Sequence, residues 1–286
     1  MAQVQAKPDF KRELHLRIVS SAIIVPVVAF ADYAGGLPFD LMLLILCATM
    51  AWEWGTLSAV RRKPSRYLLI VLACAPVAVF LASTDLRYAL PTLAICSVLA
   101  AVGVAGLEGN RGKRLIGGGI AYIGLASLSA IWIRGQADGF GLFTLLLIIV
   151  IATDVFAFLT GRMIGGPKVA PSISPNKTWS GALGGLAASL VAAFVFHSFY
   201  HGTPHSLLEG PANGMTGAVV FGAAVLSVAS QAGDFFESWL KRRVNVKDSG
   251  SIIPGHGGML DRLDGFLAAT PVLAIMLAVY GMISSA

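Results

Sequence analysis

Residues 140–160 read FGLFTLLLIIVIATDVFAFLT, an apolar run interrupted by one charge, Asp154. At about 1.5 Å of rise per residue, a helix of this length spans roughly 30 Å, the thickness of a bilayer's hydrocarbon core. Working outward, further runs long enough or nearly so lie near 18–33, 41–60, 67–83, 88–107, 115–133, 180–200, 215–233 and 265–283. The sequence therefore predicts an all-α integral membrane protein of about nine transmembrane helices. No long polar linker or internal repeat divides it, so residues 1–286 read as a single polytopic membrane domain. Pro26, Pro76 and Pro271 fall inside expected spans and predict kinks there.

Composition points the same way. The chain is 56% hydrophobic and 13% charged, with a mean hydropathy of +0.76. Soluble domains are about 45–50% apolar and about 25% charged. A net charge of +6 would suit nucleic acid, but the placement of the charges argues against such a partner. Lys7, Lys11, Arg12 and Arg17 precede the first span, and Arg61, Arg62, Lys63 and Arg66 follow the second. Arg111, Lys113 and Arg114 follow the fourth; Arg162, Lys168 and Lys177 follow the sixth. Lys241, Arg242, Arg243, Lys247 and Arg262 follow the eighth, and of all 21 basic residues only Arg87 and Arg134 lie in the alternate loops. Under the positive-inside rule the N-terminus is cytoplasmic and the C-terminus outside. A second reading of the start is a cleavable signal peptide ending at Ala29-Phe30-Ala31, which leaves the sidedness of the rest unchanged. Cys47, Cys74 and Cys96 sit in apolar runs without metal-type spacing and read as reduced core residues.

Chemistry-capable residues gather in the second half. Residues 1–149 read mainly as scaffold helices, with Glu53 as an interhelical hydrogen-bond partner. Residues 150–266 read as a catalytic region with cytoplasmic loops 161–179 and 234–264. Residues 238–264, SWLKRRVNVKDSGSIIPGHGGMLDRLD, concentrate cations, carboxylates and glycines between two apolar runs. Cations gather polyphosphate, carboxylates gather a divalent metal, and glycines let backbone N–H groups approach anionic oxygens. If the eighth helix continues past its apolar part, Asp234, Ser238, Lys241 and Arg242 share one face. Asp261 and Asp264 stand one turn apart where the ninth begins, close enough to chelate one ion. Helix-end caps and interfacial ion pairs would explain one or two such residues. They explain less well five carboxylates (Asp234, Glu237, Asp248, Asp261, Asp264) among five cations, because ionisable clusters at a membrane edge are costly. Asp154 reads equally as a functional group or as a buried hydrogen bond to a neighbouring helix. Loop 161–179 lacks the glycines of a Walker A motif, and beside 238–264 it could supply the second half of an anion site. His197, His201 and His205 recur every four residues, but Gly202 and Pro204 break the helix; interfacial histidines are the better reading.

Residues 238–264 resemble, position for position, the signature of the phosphatidate cytidylyltransferases, or CDP-diacylglycerol synthases. Ser238, Lys241, Arg242, Lys247, Asp248, Pro254, His256, Gly257, Gly258, Asp261, Arg262 and Asp264 carry the likeness. Asp154 through Gly165 and the ISPNKTW of 173–179 resemble two further segments of that family. Val155, Phe158 and Ser180 depart from its usual Thr, Tyr and Glu. The resemblance implies transfer of CMP from CTP to phosphatidate with Mg2+, a second cation being plausible, in phospholipid biosynthesis. It implies Asp234 and Asp261 as metal ligands and Asp264 as a supporting carboxylate. Lys241, Arg242, Lys247 and Arg262 would hold the phosphates, with Asp248 and His256 also in the substrate site. Ser174, Lys177 and Thr178 would close over the nucleotide, and Ser238 would contact phosphate or metal. The resemblance further implies a homodimer. The absence of disulfide-type cysteines and of a transit sequence fits a bacterial inner membrane. Two rivals are a CTP-dependent lipid kinase and an ion-coupled transporter using Asp154 and Asp234.

Overall fold

The fold comes from a computed structural model, which describes residues 10–108, 112–200, 212–246, 248–250, 252 and 257–284. Among them stand nine helices, one for each expected span: α1 (Phe10–Ala34), α2 (Gly36–Leu57), α3 (Lys63–Ser83), α4 (Leu86–Leu107), α5 (Lys113–Arg134), α6 (Gly139–Ile164), α7 (Trp179–Tyr200), α8 (Ala212–Arg243) and α9 (Leu260–Ser284). Eight of them, α2 to α9, are long and apolar enough to cross a membrane, and α1 carries an apolar stretch over Ala22–Ala34. The molecule is a multi-pass membrane protein. Helix α4 contains a π-helical turn at Ala100–Val104, and Pro26, Pro76 and Pro271 all lie inside helices.

Helix ends depart from the apolar runs where polar residues keep helical spacing. Helix α8 runs on to Arg243, ten residues past its apolar part, with Glu237 and Lys241 paired one turn apart at 3.6 Å. Helix α9 begins at Leu260, so that Asp261 falls in its first turn.

Helix α5 is the centre of the bundle. Buried residues make up 72% of its membrane-length window, against 39% or less for every other such helix. Glycines admit its neighbours: a Cβ on Gly119 would lie 1.9 Å from Trp54 Nε1, which donates to the Leu115 carbonyl at 2.8 Å.

The segment expected as a loop after α6 is a small antiparallel hairpin, β1 (Lys168–Ala170) with β2 (Ser174–Thr178), Lys168 opposite Thr178 and Ala170 opposite Ser174. Gly165 and Gly166 adopt φ values of +68° and +106° that stop α6, and Trp179 N–H donates to the Pro167 carbonyl at 3.0 Å to close the hairpin.

Side-chain contacts sort the turns into two ends. At one end Glu108 accepts from the backbone N–H groups of Arg61 and Arg62, and Glu53 meets Ser249 and Leu260. At the other, Arg134 pairs with Asp32 at 3.2 Å, and the Tyr200 hydroxyl donates to Asp138 at 2.9 Å. These are the two groups that the alternation of basic loops defines. Both basic residues of the charge-poor group have an acidic partner, because Arg87 pairs with Asp85.

Candidate active site

Helices α8 and α9 approach closely because each is glycine at the contact. A Cβ on Gly233 would sit 2.4 Å from the Asp264 carbonyl, and one on Gly265 would sit 2.3 Å from Ser230 Oγ. The carboxylates next to these glycines, Asp234 and Asp264, are thereby brought to one place. The hairpin lies over them. Lys177 on β2 pairs with Asp234, and its ammonium sits 4.3 Å from the centre of the Phe235 ring. Between hairpin and helices lies a cavity of about 670 Å³ whose walls include Asp154, Asp234, Asp261 and Asp264. Arg162, Lys168, Lys177 and Arg262 supply its positive charge; Ala157, Phe158 and Phe235 supply an apolar wall.

Asp261 is held from both sides. Its Oδ1 accepts from Lys241 Nζ at 2.6 Å; its Oδ2 accepts from Ser249 N at 2.9 Å, Ser249 Oγ at 3.0 Å and Gly258 N at 3.1 Å. One of the signature glycines, Gly258, thus brings its backbone N–H to an anionic oxygen, and in this structure that oxygen belongs to a protein carboxylate. Asp264 accepts from the N–H of Gly265 at 2.7 Å, and Tyr122 of α5 donates to its carbonyl at 3.4 Å. Glu237 is buried beside Lys241, and neither of its carboxylate oxygens has a hydrogen-bond partner among the described residues.

The cavity brings together Asp234, Asp261, Asp264, Ser174, Lys177, Thr178 and Arg262 from the sequence reading. Lys241 is not part of the cavity wall; its ammonium reaches Asp261 and, at longer range, Glu237. Thr178 is buried, and its Oγ1 accepts from Gly181 N–H at 3.1 Å, which caps the first turn of α7. Arg242 and Asp248 are exposed, Ser238 is half-buried on α8, and none of the three is part of the cavity wall. Lys247 and His256 lie outside the described residues. Asp154, left open between two readings, lines the cavity. Gln231 also lines it and was missed; its position three residues before Asp234 on the same helix was the available signal.

A magnesium site can be tested against these donors. Among the described residues, no three His, Cys, Asp or Glu side chains form a cage for an ion. Magnesium does not require one: it is commonly bound by one or two carboxylates, with water and substrate phosphates completing its shell. Hard carboxylate oxygens on a cavity rimmed by cations fit an ion that arrives with a polyphosphate.

Fold and site together define a multi-pass membrane protein with a cavity, lined by acidic and basic side chains, between its hairpin and helices. The chain belongs to the cytidylyltransferase family, whose profile matches residues 15–280. It is 36% identical over 273 residues to a protein of Brucella abortus biovar 1 (strain 9-941) named phosphatidate cytidylyltransferase, covering 93% of this chain and 94% of that one. Proteins of the same name from Rickettsia bellii (strain RML369-C) and Pseudomonas aeruginosa are 33% identical over 280 residues and 32% identical over 272 residues. The first match covers 96% of this chain and 95% of the relative; the second covers 92% and 97%. Neither a lipid kinase nor a transporter finds support in these matches.

Proposed function

We infer that this chain transfers the CMP unit of CTP to phosphatidate at the cytoplasmic membrane face, releasing pyrophosphate and forming CDP-diacylglycerol. The observation that carries the reading is the cavity itself, where carboxylates and cations from β2, α6, α8 and α9 line one space beside an apolar wall.

The reaction makes modest demands on the protein. A phosphatidate phosphate is already anionic at neutral pH, so its oxygen can attack the α-phosphorus without a strong general base. The bond between α-phosphorus and the bridging oxygen breaks, and pyrophosphate leaves. What the protein must supply is alignment and compensation of charge across the transition state. Lys177 on β2 and Arg262 on α9 hold phosphate oxygens, and Lys241 orients Asp261. Asp234 and Asp261, supported by Asp264, would hold Mg2+, which when bound neutralises triphosphate charge; the number of carboxylates leaves room for a second cation. The Phe158 and Phe235 side lets a lipid present its phosphate while its tails stay in the bilayer.

The cytoplasmic assignment is supported by the distribution of basic loops and by the cytosolic location of CTP. The bacterial relatives support a bacterial plasma membrane, and the family resemblance alone supports a homodimer. Purified protein incubated with phosphatidate, Mg2+ and CTP labelled at the α-phosphorus should put label into lipid. Label entering lipid from the γ-phosphorus instead would identify a lipid kinase. An absence of turnover together with ion flux in vesicles would identify a transporter.

A further inference from the structure

We propose that Glu53, on α2 in the half of the chain remote from the catalytic segments, is a positioning residue for Asp261. The proposal rests on reading Asp261 as a carboxylate of the reaction. Glu53 is 1% exposed, and its Oε2 accepts from the N–H of Leu260, 207 residues later, at 2.9 Å. The same oxygen lies 3.3 Å from Ser249 Oγ, which in turn lies 3.0 Å from Asp261 Oδ2. One hydroxyl carries one proton, so Ser249 bridges two carboxylates and can donate to only one at a time. Its backbone N–H and that of Gly258 complete the hold on Asp261. Among the described residues, every hydrogen bond to Oδ2 of Asp261 therefore comes from Ser249, which Glu53 touches, or from Gly258, two residues before the Leu260 that Glu53 holds.

The packing leaves no slack in this arrangement. A Cβ on Gly250 would lie 2.5 Å from Glu53 Oε1, and one on Gly258 would lie 2.0 Å from Ser249 Oγ and 2.9 Å from Glu53 Oε2. Both positions are glycine so that a hydroxyl and two carboxylates can share the space. Leu260 is the first residue of α9, where backbone donors lack intrahelical acceptors and a negative charge is favoured. Glu53 thus seats the start of α9, and with it the angle at which Asp261 meets the cavity. A buried carboxylate is an expensive way to gain stability alone, and Oε1 of Glu53 has no hydrogen-bond partner among the described residues.

The test uses the full chain in lipid vesicles with α-labelled CTP. Glu53→Ala should lower kcat by about 100-fold, the cost of a misplacement near 1 Å, while KM for CTP stays within about threefold. Glu53→Gln keeps an oxygen that can accept from Leu260 and should restore kcat to within about tenfold of the parent protein. A second readout needs neither substrate nor metal. Hydrogen–deuterium exchange of the Ser249 and Leu260 amides should rise at least about tenfold in Glu53→Ala and return close to normal in Glu53→Gln. Should Glu53→Ala fail to fold, Ser249→Ala removes only the bridging hydroxyl and should show the same selective fall in kcat at smaller size. A parent-like kcat in Glu53→Ala, or in Ser249→Ala if only that variant folds, overturns the proposal, as does a fall in kcat with amide protection unchanged. Asp261→Asn separates the two readings. If it turns over normally, Asp261 itself loses its role; if it is slow while Glu53→Ala is normal, only Glu53 does.

Discussion

Lys241 reaches Asp261 at 2.6 Å and Glu237 at 3.6 Å with only 15% of its side chain exposed. Its substitution is therefore a stability experiment as much as an activity one. Removing one partner from a buried ionic group leaves the other charges uncompensated, at a cost of about 3–5 kcal/mol. Lys241→Met is expected to lower the thermal unfolding temperature in detergent markedly, whereas Arg242→Met, at an exposed position, should leave it almost unchanged. A metal prediction belongs to the same residues. Since no preformed cage of three ligands exists among the described residues, the ion should be held weakly without nucleotide. Chelation with EDTA should stop turnover, and added Mg2+ should restore it. CTP should tighten the ion's binding in a titration followed by calorimetry.

The contact between α6 and α7 illustrates what whole elements require of single residues. A Cβ on Gly181 would lie 2.6 Å from the Ala157 carbonyl, and one on Gly185 would lie 2.6 Å from the Thr153 carbonyl. Backbone atoms cannot turn aside, so the helices must separate. Gly181→Ala should cost about 1–3 kcal/mol and lower activity as well, because Gly181 N–H bonds to Thr178 at the end of the strand that carries Lys177. Gly118 is the matched control on α5: its Cβ would meet nothing within 4 Å, and alanine is the better helix former. Gly118→Ala should be neutral or more stable by up to about 1 kcal/mol. Thermal unfolding of the two variants side by side checks both.

For the whole molecule the issue is which end of the bundle faces the cytosol. Contacts gather the basic turns at one end and pair both outlying arginines with aspartates at the other. Single cysteines introduced at exposed positions, Asp248→Cys and Arg87→Cys, turn this into a measurement. A membrane-impermeant thiol reagent should label Arg87→Cys in intact cells and Asp248→Cys only after permeabilisation. The reverse pattern would put the cavity on the side without CTP and remove the proposed reaction.

The number of helices, their alternation and the charged segments that line the cavity were legible in the sequence, for two physical reasons. A bilayer imposes a minimum apolar length that any sequence displays, and charges that must stay in water mark the turns. The clustering of Asp234, Lys241, Asp261 and Asp264 was equally readable, because those residues sit on consecutive helix ends. Glu53 as a hydrogen-bond partner between helices was readable too, but the tertiary structure alone decided that it bonds the start of α9, that Thr178 caps α7, that Asp154 lines the cavity and that Tyr122 reaches the Asp264 carbonyl. In a soluble helix the apolar stripe tells which face is buried. In a membrane the lipid is as apolar as the core, so the sequence pattern of a span says little about which way each face turns.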